Sequence, residues 1–205
     1  GDLAASSARN DALGEVKNNV RVGKIEGGTP KFTDLLIGTS CGALNAAWVA
    51  ARGGEHGFSM GRFAPAYLAD QQVIVARQGD RVVGFASFHA ATINRHQVWT
   101  LDLLRPDPSA PDGTAHALIL AALRTAREVG VSRLSLAAVP IGCTESERSL
   151  VARLGRRFAP ASMTGLAQFK TGFAPNWERL YIAGPSLAVL ALVGWEIWGR
   201  VRNPP

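Results

Sequence analysis

Residues 98–130, VWTLDLLRPDPSAPDGTAHALILAALRTAREVG, constrain the fold more than any other stretch of the chain. An alternating apolar segment runs into a Pro- and Asp-rich loop and then into a segment with helical periodicity, which together specify a β-loop-α unit. Along the extended part, Val98, Thr100 and Asp102 project to one side and Trp99, Leu101 and Leu103 to the other. One face of the strand is therefore wholly apolar and the other mixed. Pro106, Asp107, Pro108, Ser109, Pro111, Asp112 and Gly113 are poor at continuing a strand and suit a loop. The helix is expected to start with Asp112 as N-cap, to bury Ala115, Leu118, Ile119, Ala122, Leu123 and Ala126, and to end at Gly130.

Asp102 and Arg105 stand near the end of this strand, where the loop opens onto a helix N-terminus. A carboxylate and a guanidinium there can hold an anionic or acyl-bearing ligand. Paired charges at element ends also form purely structural ion pairs, so the residue types leave both readings open.

With 205 residues and 47% hydrophobic content the chain can build one good-sized domain, or a domain plus an extra segment. The formal charge of +6 favours a polyanionic partner, either nucleic acid or an anionic membrane face. Cys41 and Cys143 fit no metal spacing or disulfide framework, which suits a reducing compartment. No signal peptide is visible, and the longest apolar run, residues 187–195, is too short to span a bilayer. Residues 1–30 show little apolar periodicity and read as a loosely ordered leader.

Residues 32–50, FTDLLIGTSCGALNAAWVA, read as a short strand, a Gly-bounded turn and an Ala-rich helix. Gly38-Thr39-Ser40-Cys41-Gly42 satisfies G-x-S-x-G, a pattern in which small neighbours let the chain turn sharply and expose a serine hydroxyl. The stretch resembles the nucleophile elbow of patatin-like lipid acyl hydrolases, which implies Ser40 as an alternative nucleophile. A structural turn explains the same residues.

A longer resemblance begins at Trp48. Residues 50–63 (AARGGEHGFSMGRF), Tyr67-Leu68, the strand-like runs 72–77 and 81–89, Asp102-Leu103-Leu104-Arg105, Pro111-Asp112-Gly113, the run 133–139 and residues 169–178 (FKTGFAPNWE) occur in order and with matching spacing. Over about three quarters of the chain this resembles the last lobe of the multiple peptide resistance factor family, bacterial enzymes that move an amino acid from aminoacyl-tRNA onto phosphatidylglycerol. The resemblance implies an α/β (α+β), acetyltransferase-like (GNAT-like) lobe with a mixed, mainly antiparallel central sheet flanked by helices. It covers residues 48–205, with residues 1–47 as the leader carrying the elbow-like segment. The residues agree: runs 72–77 and 81–88 are β-rich and joined by Gln78-Gly79-Asp80, where Gly79 supplies the backbone angle a hairpin turn wants. Run 133–139 is expected to lie beside the strand of Asp102. The loop before Thr114 lacks the Q/R-x-x-G-x-G/A pattern that holds coenzyme A pyrophosphate in ordinary members of that fold, so acetyl-CoA is not expected and no cofactor is implied.

The expected site combines Asp102, Arg105 and Lys170. Asp102 orients the hydroxyl or the substrate amine, and the two cations offset developing negative charge. Lys170 matches the family's lysine before a Phe-x-Pro-x-Trp stretch. Glu178 can orient it, and Arg179 stands one position from the arginine of the family's Trp-x-x-Arg-Tyr. Surface lysine and glutamate remain the plain alternative. Residues 144–155 read as a helix capped by Thr144 and Glu147, and its arginines, with Arg156 and Arg157, give a basic face for phosphates or simply for water. His56, His89, His96 and His116 share no ligand spacing, so no metal site is expected. Residues 186–202 read as a helix that either lies in a membrane interface or packs on the domain's own core.

The function implied is transfer of an aminoacyl group from aminoacyl-tRNA to phosphatidylglycerol in an anionic membrane, at the cytoplasmic face of the bacterial inner membrane. The family builds its catalytic unit from two such lobes, so a first lobe or membrane domain is an implied partner. The alternatives are a lipid acyl hydrolase using Ser40 and a non-catalytic lipid- or RNA-binding module.

Overall fold

The computed structural model describes residues 15–16, 20–24, 36–52, 54, 61–139, 161–181 and 183–202. The elements are β1 (Glu15–Val16), β2 (Val20–Lys24), a π-helical turn (Leu36–Cys41) running into α1 (Gly42–Arg52), α2 (Pro65–Leu68), β3 (Gln72–Gln78), β4 (Arg81–Ile93) and β5 (His96–Pro106). They continue with α3 (Thr114–Glu128), β6 (Arg133–Ser135), α4 (Ala161–Thr171) and α5 (Leu187–Arg202). The chain forms two compact units, Gly1–Ser135 with Ala191–Pro205, and Leu136–Leu190.

The first unit is built on a six-stranded sheet in the order β1-β2-β3-β4-β5-β6. All neighbours are antiparallel except β5 and β6, which pair in parallel with Val98 opposite Arg133 and Thr100 opposite Ser135. The sheet is thus mixed and mainly antiparallel, as expected. Gly79, at φ 60, makes the β3–β4 turn in the left-handed region that glycine enters without a Cβ clash. The β4–β5 hairpin turns on Asn94 and Arg95, at φ 50 and 66, and β4 runs on to Ile93, beyond the expected end at His89. Two expectations need correction here. Residues 20–24 are not a loose leader, because β2 pairs along its length with β3. The strand after α3 ends at Ser135 and not at Val139, since Ala137 turns into the left-handed region at φ 62.

Helix α3 packs across β2, β3, β4 and β5. Gly84 permits the approach: a Cβ there would lie 3.1 Å from Thr114 Cγ2 and 3.2 Å from Leu118 Cδ1. The buried face is Thr114, Ala117, Leu118, Ile119, Ala121, Ala122, Thr125 and Ala126. Leu123, expected inside, is exposed. The N-cap is Gly113 at φ 87 and not Asp112, and Thr114 Oγ1 turns back to donate to Pro111 O at 2.7 Å. At the other end Val131 N–H donates to Ala126 O and Gly130 N–H to Arg127 O, the paired bonds of a glycine-terminated helix.

On the opposite face a second core joins Ile37, Cys41 and Leu44 to Leu68, Val73, Val75, Val82, Phe85 and Leu103, with Phe63 packed edge-on against Phe85. Burial in this core pushes the Cys41 thiol up to about 12.

In the second unit, α4 buries Ala167, and Thr171 Oγ1 donates to Ala167 O at 2.9 Å. The helix expected over 144–155 lies outside the described residues. Helix α5 exposes Leu187, Leu192 and Trp195 at 85%, 68% and 78%. No described helix is long and apolar enough to cross a membrane.

Candidate functional site

The geometry of the site is set by a β-bulge. Along the β4–β5 ladder, Leu101 pairs with Phe88 and Leu103 with Ser87, so Asp102 is the extra, unpaired residue. The freed N–H of Leu103 donates instead to Ser87 Oγ at 3.2 Å, inside the core. In a regular strand Asp102 and Leu103 would face opposite sides, as would Asp102 and Arg105. The bulge cancels one alternation. Leu103 joins the core beneath α1 and α2, while Asp102 meets Gln71 and His89 on that same face. Arg105, two residues past Leu103, meets α1.

Around Asp102 the neighbours close in tightly. Gln71 Nε2 donates to Asp102 Oδ2 at 3.1 Å, and His89 Nε2 lies 3.6 Å from the same oxygen. Tyr67 Oη is 2.9 Å from His89 Nε2, with the two rings edge to face. Tyr67 and Gln71 are four residues apart, on and just after the short helix α2 that Pro65 opens, and so point the same way. Gly61 backs onto the carboxylate so closely that a Cβ there would overlap it. Burial first, then the charge of Asp102 and a hydrogen bond to it, hold the Tyr67 phenol above its usual range. The Asp102 side chain is 10% exposed and that of His89 49%, so a shielded anion is linked to a solvent-facing imidazole. The buried Gln71 Oε1 has no hydrogen-bond partner among the described residues.

Arg105 is fixed separately. Its Nε donates to Asn45 Oδ1 at 3.3 Å, and its guanidinium lies 3.6 Å from the Trp48 ring centroid, with Arg52 at 4.2 Å from the same ring. Asp102 is thus met by Gln71, His89 and Tyr67, and Arg105 by Asn45 and Trp48. Further along the same face of β5 is a cavity of about 550 Å³, lined by Val98, Thr100, Ile93, His96, Arg133 and Ser135 among others. His89 stands opposite Thr100 in the ladder.

Lys170, in the second unit, is 4% exposed on α4. Its Nζ donates to Ala137 O and Ala138 O, each at 3.1 Å, so two backbone carbonyls hold it and not Glu178. Burial lowers its pKa from the ordinary lysine value. Glu178 and Arg179 are exposed in an irregular run. Arg156 and Arg157 lie outside the described residues.

Ser40 lies within helical backbone and not at a helix N-terminus. Leu36–Cys41 is a π-helical turn continuous with α1, and Ser40 sits inside it, half-buried. The G-x-S-x-G match arises because Ile37, Cys41 and Leu44 recur at helical spacing and bury one face, with small residues between them. Of the short strand expected between Phe32 and the turn at Gly38, Leu36 and Ile37 are helical and the rest lies outside the described residues.

The residues that sequence reasoning missed are Tyr67, Gln71 and His89. The available signal was Pro65 opening a helical turn with two polar side chains four apart.

The family described as phosphatidylglycerol lysyltransferase, C-terminal, matches residues 29–184. A phosphatidylglycerol lysyltransferase of Bacillus subtilis (strain 168) is 24% identical in an alignment of 187 positions that covers 85% of this chain and 21% of that protein. The chain thus spans about a fifth of the length of that curated relative. Among solved structures, the C-terminal domain of a protein assigned as a lysylphosphatidylglycerol synthetase from Agrobacterium fabrum superposes with a TM-score of 0.72 at 24% identity, covering 100% of this chain and 61% of that one. An aminoglycoside acetyltransferase from an uncultured soil metagenomic sample has a TM-score of 0.50 at 15% identity, covering 84% of this chain and 98% of that one. The fold is acetyltransferase-like, and the chain belongs to the family of phosphatidylglycerol lysyltransferase C-terminal domains.

Proposed function

We propose that this chain transfers an aminoacyl group from an aminoacyl-tRNA to a hydroxyl of phosphatidylglycerol, at the cytoplasmic face of a bacterial inner membrane. The observation that carries the reading is the bulge at Asp102, which gathers a carboxylate, an imidazole, a phenol and an amide on one face of the sheet, with Arg105 on that face too. The donor ester is already activated. The protein has to position two substrates and stabilise the oxygen that becomes negative.

In this reading Asp102 orients the polar groups that meet the attacking hydroxyl. Arg105, its plane held by Trp48 and Asn45, offsets phosphate or oxyanion charge. Lys170 acts by position: its ammonium ties α4 to the chain just after β6. Exposed Glu178 and Arg179, together with Arg156 and Arg157, meet the tRNA or the lipid headgroup. The lipid face is served by α5, whose Leu187, Leu192 and Trp195 stand in solvent beside Arg200, in a chain of net charge +6. A first lobe or membrane domain, as the family's architecture implies, completes the assembly.

The test is incubation of labelled aminoacyl-tRNA with phosphatidylglycerol vesicles and the purified chain, followed by lipid extraction. Label is expected in the lipid phase with wild type and to be lost with Asp102→Ala. Vesicle or tRNA binding without label transfer would instead mark a non-catalytic module.

A further inference from the structure

We propose that His89 is the proton-transfer group of this site. Its Nδ1 takes the proton of the attacking hydroxyl and returns it to the leaving oxygen, while Nε2 is held by Tyr67 beside Asp102. The inference rests on the acyl-transfer reading above.

The argument starts from which ring nitrogen is engaged. Every polar neighbour of His89 among the described residues approaches Nε2: Tyr67 Oη at 2.9 Å and Asp102 Oδ2 at 3.6 Å. With a carboxylate oxygen 3.6 Å from the same nitrogen, the arrangement is met when His89 Nε2–H donates to Tyr67 Oη on the Asp102 side. In that tautomer Nδ1 is unprotonated, and it belongs to a side chain 49% exposed. A base whose far nitrogen is tied to a shielded carboxylate through a phenol has the construction of an oriented general base. Asp102 supplies the charge that stabilises the imidazolium, and Gln71 Nε2 holds Asp102 in place. Among the described residues, the charged or titratable groups facing this cluster are Tyr67, Asp102 and Arg62, the last acting on Tyr67. Across the ladder from His89 is Thr100, one wall of the 550 Å³ cavity that opens further along this face of β5.

The step balances without a co-reactant. The hydroxyl O–H bond breaks and its proton goes to Nδ1. The oxygen forms a bond to the ester carbonyl carbon. The intermediate collapses as the carbon–oxygen bond to the ribose breaks, and the ribose oxygen takes the proton back from Nδ1. Tyr67 and Gln71 are positioning residues in this scheme.

Two measurements on the full chain test it. Nitrogen-15 NMR of the imidazoles, with His89→Gln to assign the signal, is expected to show the Nε2–H tautomer for His89. A preference for Nε2–H that weakens in Tyr67→Phe and Asp102→Asn supports the relay, and an Nδ1–H tautomer overturns it. In the transfer assay, His89→Gln is expected to lose about 10²–10⁴-fold in rate, with a wild-type melting temperature and with added imidazole restoring part of the activity of His89→Gly. Wild-type transfer that is undiminished in a folded His89→Gln removes the role of His89 alone. A wild-type chain that transfers nothing removes the acyl-transfer reading and the role of His89 with it.

Discussion

Ser87→Ala tests the feature on which the site depends. Ser87 is fully buried, and its Oγ is the acceptor for the Leu103 N–H that the bulge takes out of the ladder. Alanine preserves the size and β-strand conformation of the residue but leaves that amide with no acceptor in a water-free core. A buried donor stripped of its partner costs about 1–3 kcal/mol, against roughly 0.5–1.5 kcal/mol for an ordinary hydrogen bond that water can replace. For a chain of 205 residues this corresponds to a fall of about 2–12 °C in melting temperature. Ser109→Ala is the control: Ser109 Oγ also makes a hydrogen bond, here as the donor to Asp107 Oδ1 at 2.6 Å, but it is exposed and water can take its place. Urea unfolding by far-UV circular dichroism gives the stability change, and amide hydrogen exchange at Leu103 reports the local event. Ser87→Ala should lose stability well beyond Ser109→Ala and lose Leu103 protection in particular. If the two variants unfold within about 0.5 kcal/mol of each other and Leu103 stays protected, Ser87 does not hold the bulge.

Other positions give independent checks. Gly61→Ala places a methyl group where the Asp102 carboxylate sits; overpacking of this kind costs about 1–3 kcal/mol, and label transfer should fall at least tenfold, so retained transfer would show that Asp102 need not stay where it is. Cys41, with its thiol raised from 9.0 to about 12 by burial, should be alkylated about a thousandfold more slowly in the native chain than in urea, as read by peptide mass mapping; equal rates would deny its burial. Lys170 has a folded-state pKa below the ordinary 10.5 because of burial, so over that window the unfolded chain binds protons that the native chain has released. Its penalty on stability is full below the folded value and fades as pH rises toward 10.5, so the stability of wild type relative to Lys170→Met should climb over that range; a flat or falling difference in urea midpoints refutes it. At neutral pH the methionine variant also removes the hydrogen bonds from Lys170 Nζ to the Ala137 and Ala138 carbonyls; both residues are exposed, so each loss is that of an ordinary hydrogen bond, about 0.5–1.5 kcal/mol.

The parts of the fold that were legible are those where one local rule decides. Gly79 between two β-rich runs makes the β3–β4 hairpin, and helical spacing closed by Gly130 gives α3. Strand β6 lies beside β5 because a short strand after a crossover helix pairs in parallel. The exact buried stripe of α3 was less legible: Leu123 is as apolar as Leu118, and only packing against the sheet decides which of them is inside. Strand β2 was missed because five residues carry too little periodicity to stand out, and its place comes from a partner fifty residues away. The G-x-S-x-G match misled because a motif of small residues is compatible with either an elbow or a helix. The helical recurrence of Ile37, Cys41 and Leu44 was the stronger signal.

The candidate site shows the same division at higher stakes. Asp102 was legible as a carboxylate on the mixed face of a strand, but nothing in Leu101-Asp102-Leu103 marks a bulge, since no glycine or proline is needed for an extra residue there. Without the bulge, strict alternation separates Asp102 from Arg105 by the thickness of the sheet. With it they share a face, yet each takes its own partners, Gln71 and His89 for one and Asn45 and Trp48 for the other. His89 carries no local signal of its own, since the four histidines share no ligand spacing. Its significance comes from alternation along β4: Phe85, Ser87 and His89 share a face, the first in the core, the second holding the bulge and the third beside the residue the bulge turns. One strand face thus carries packing, backbone repair and proton chemistry at successive positions, and a substitution at Ser87 should be felt at His89 through Asp102 without touching it.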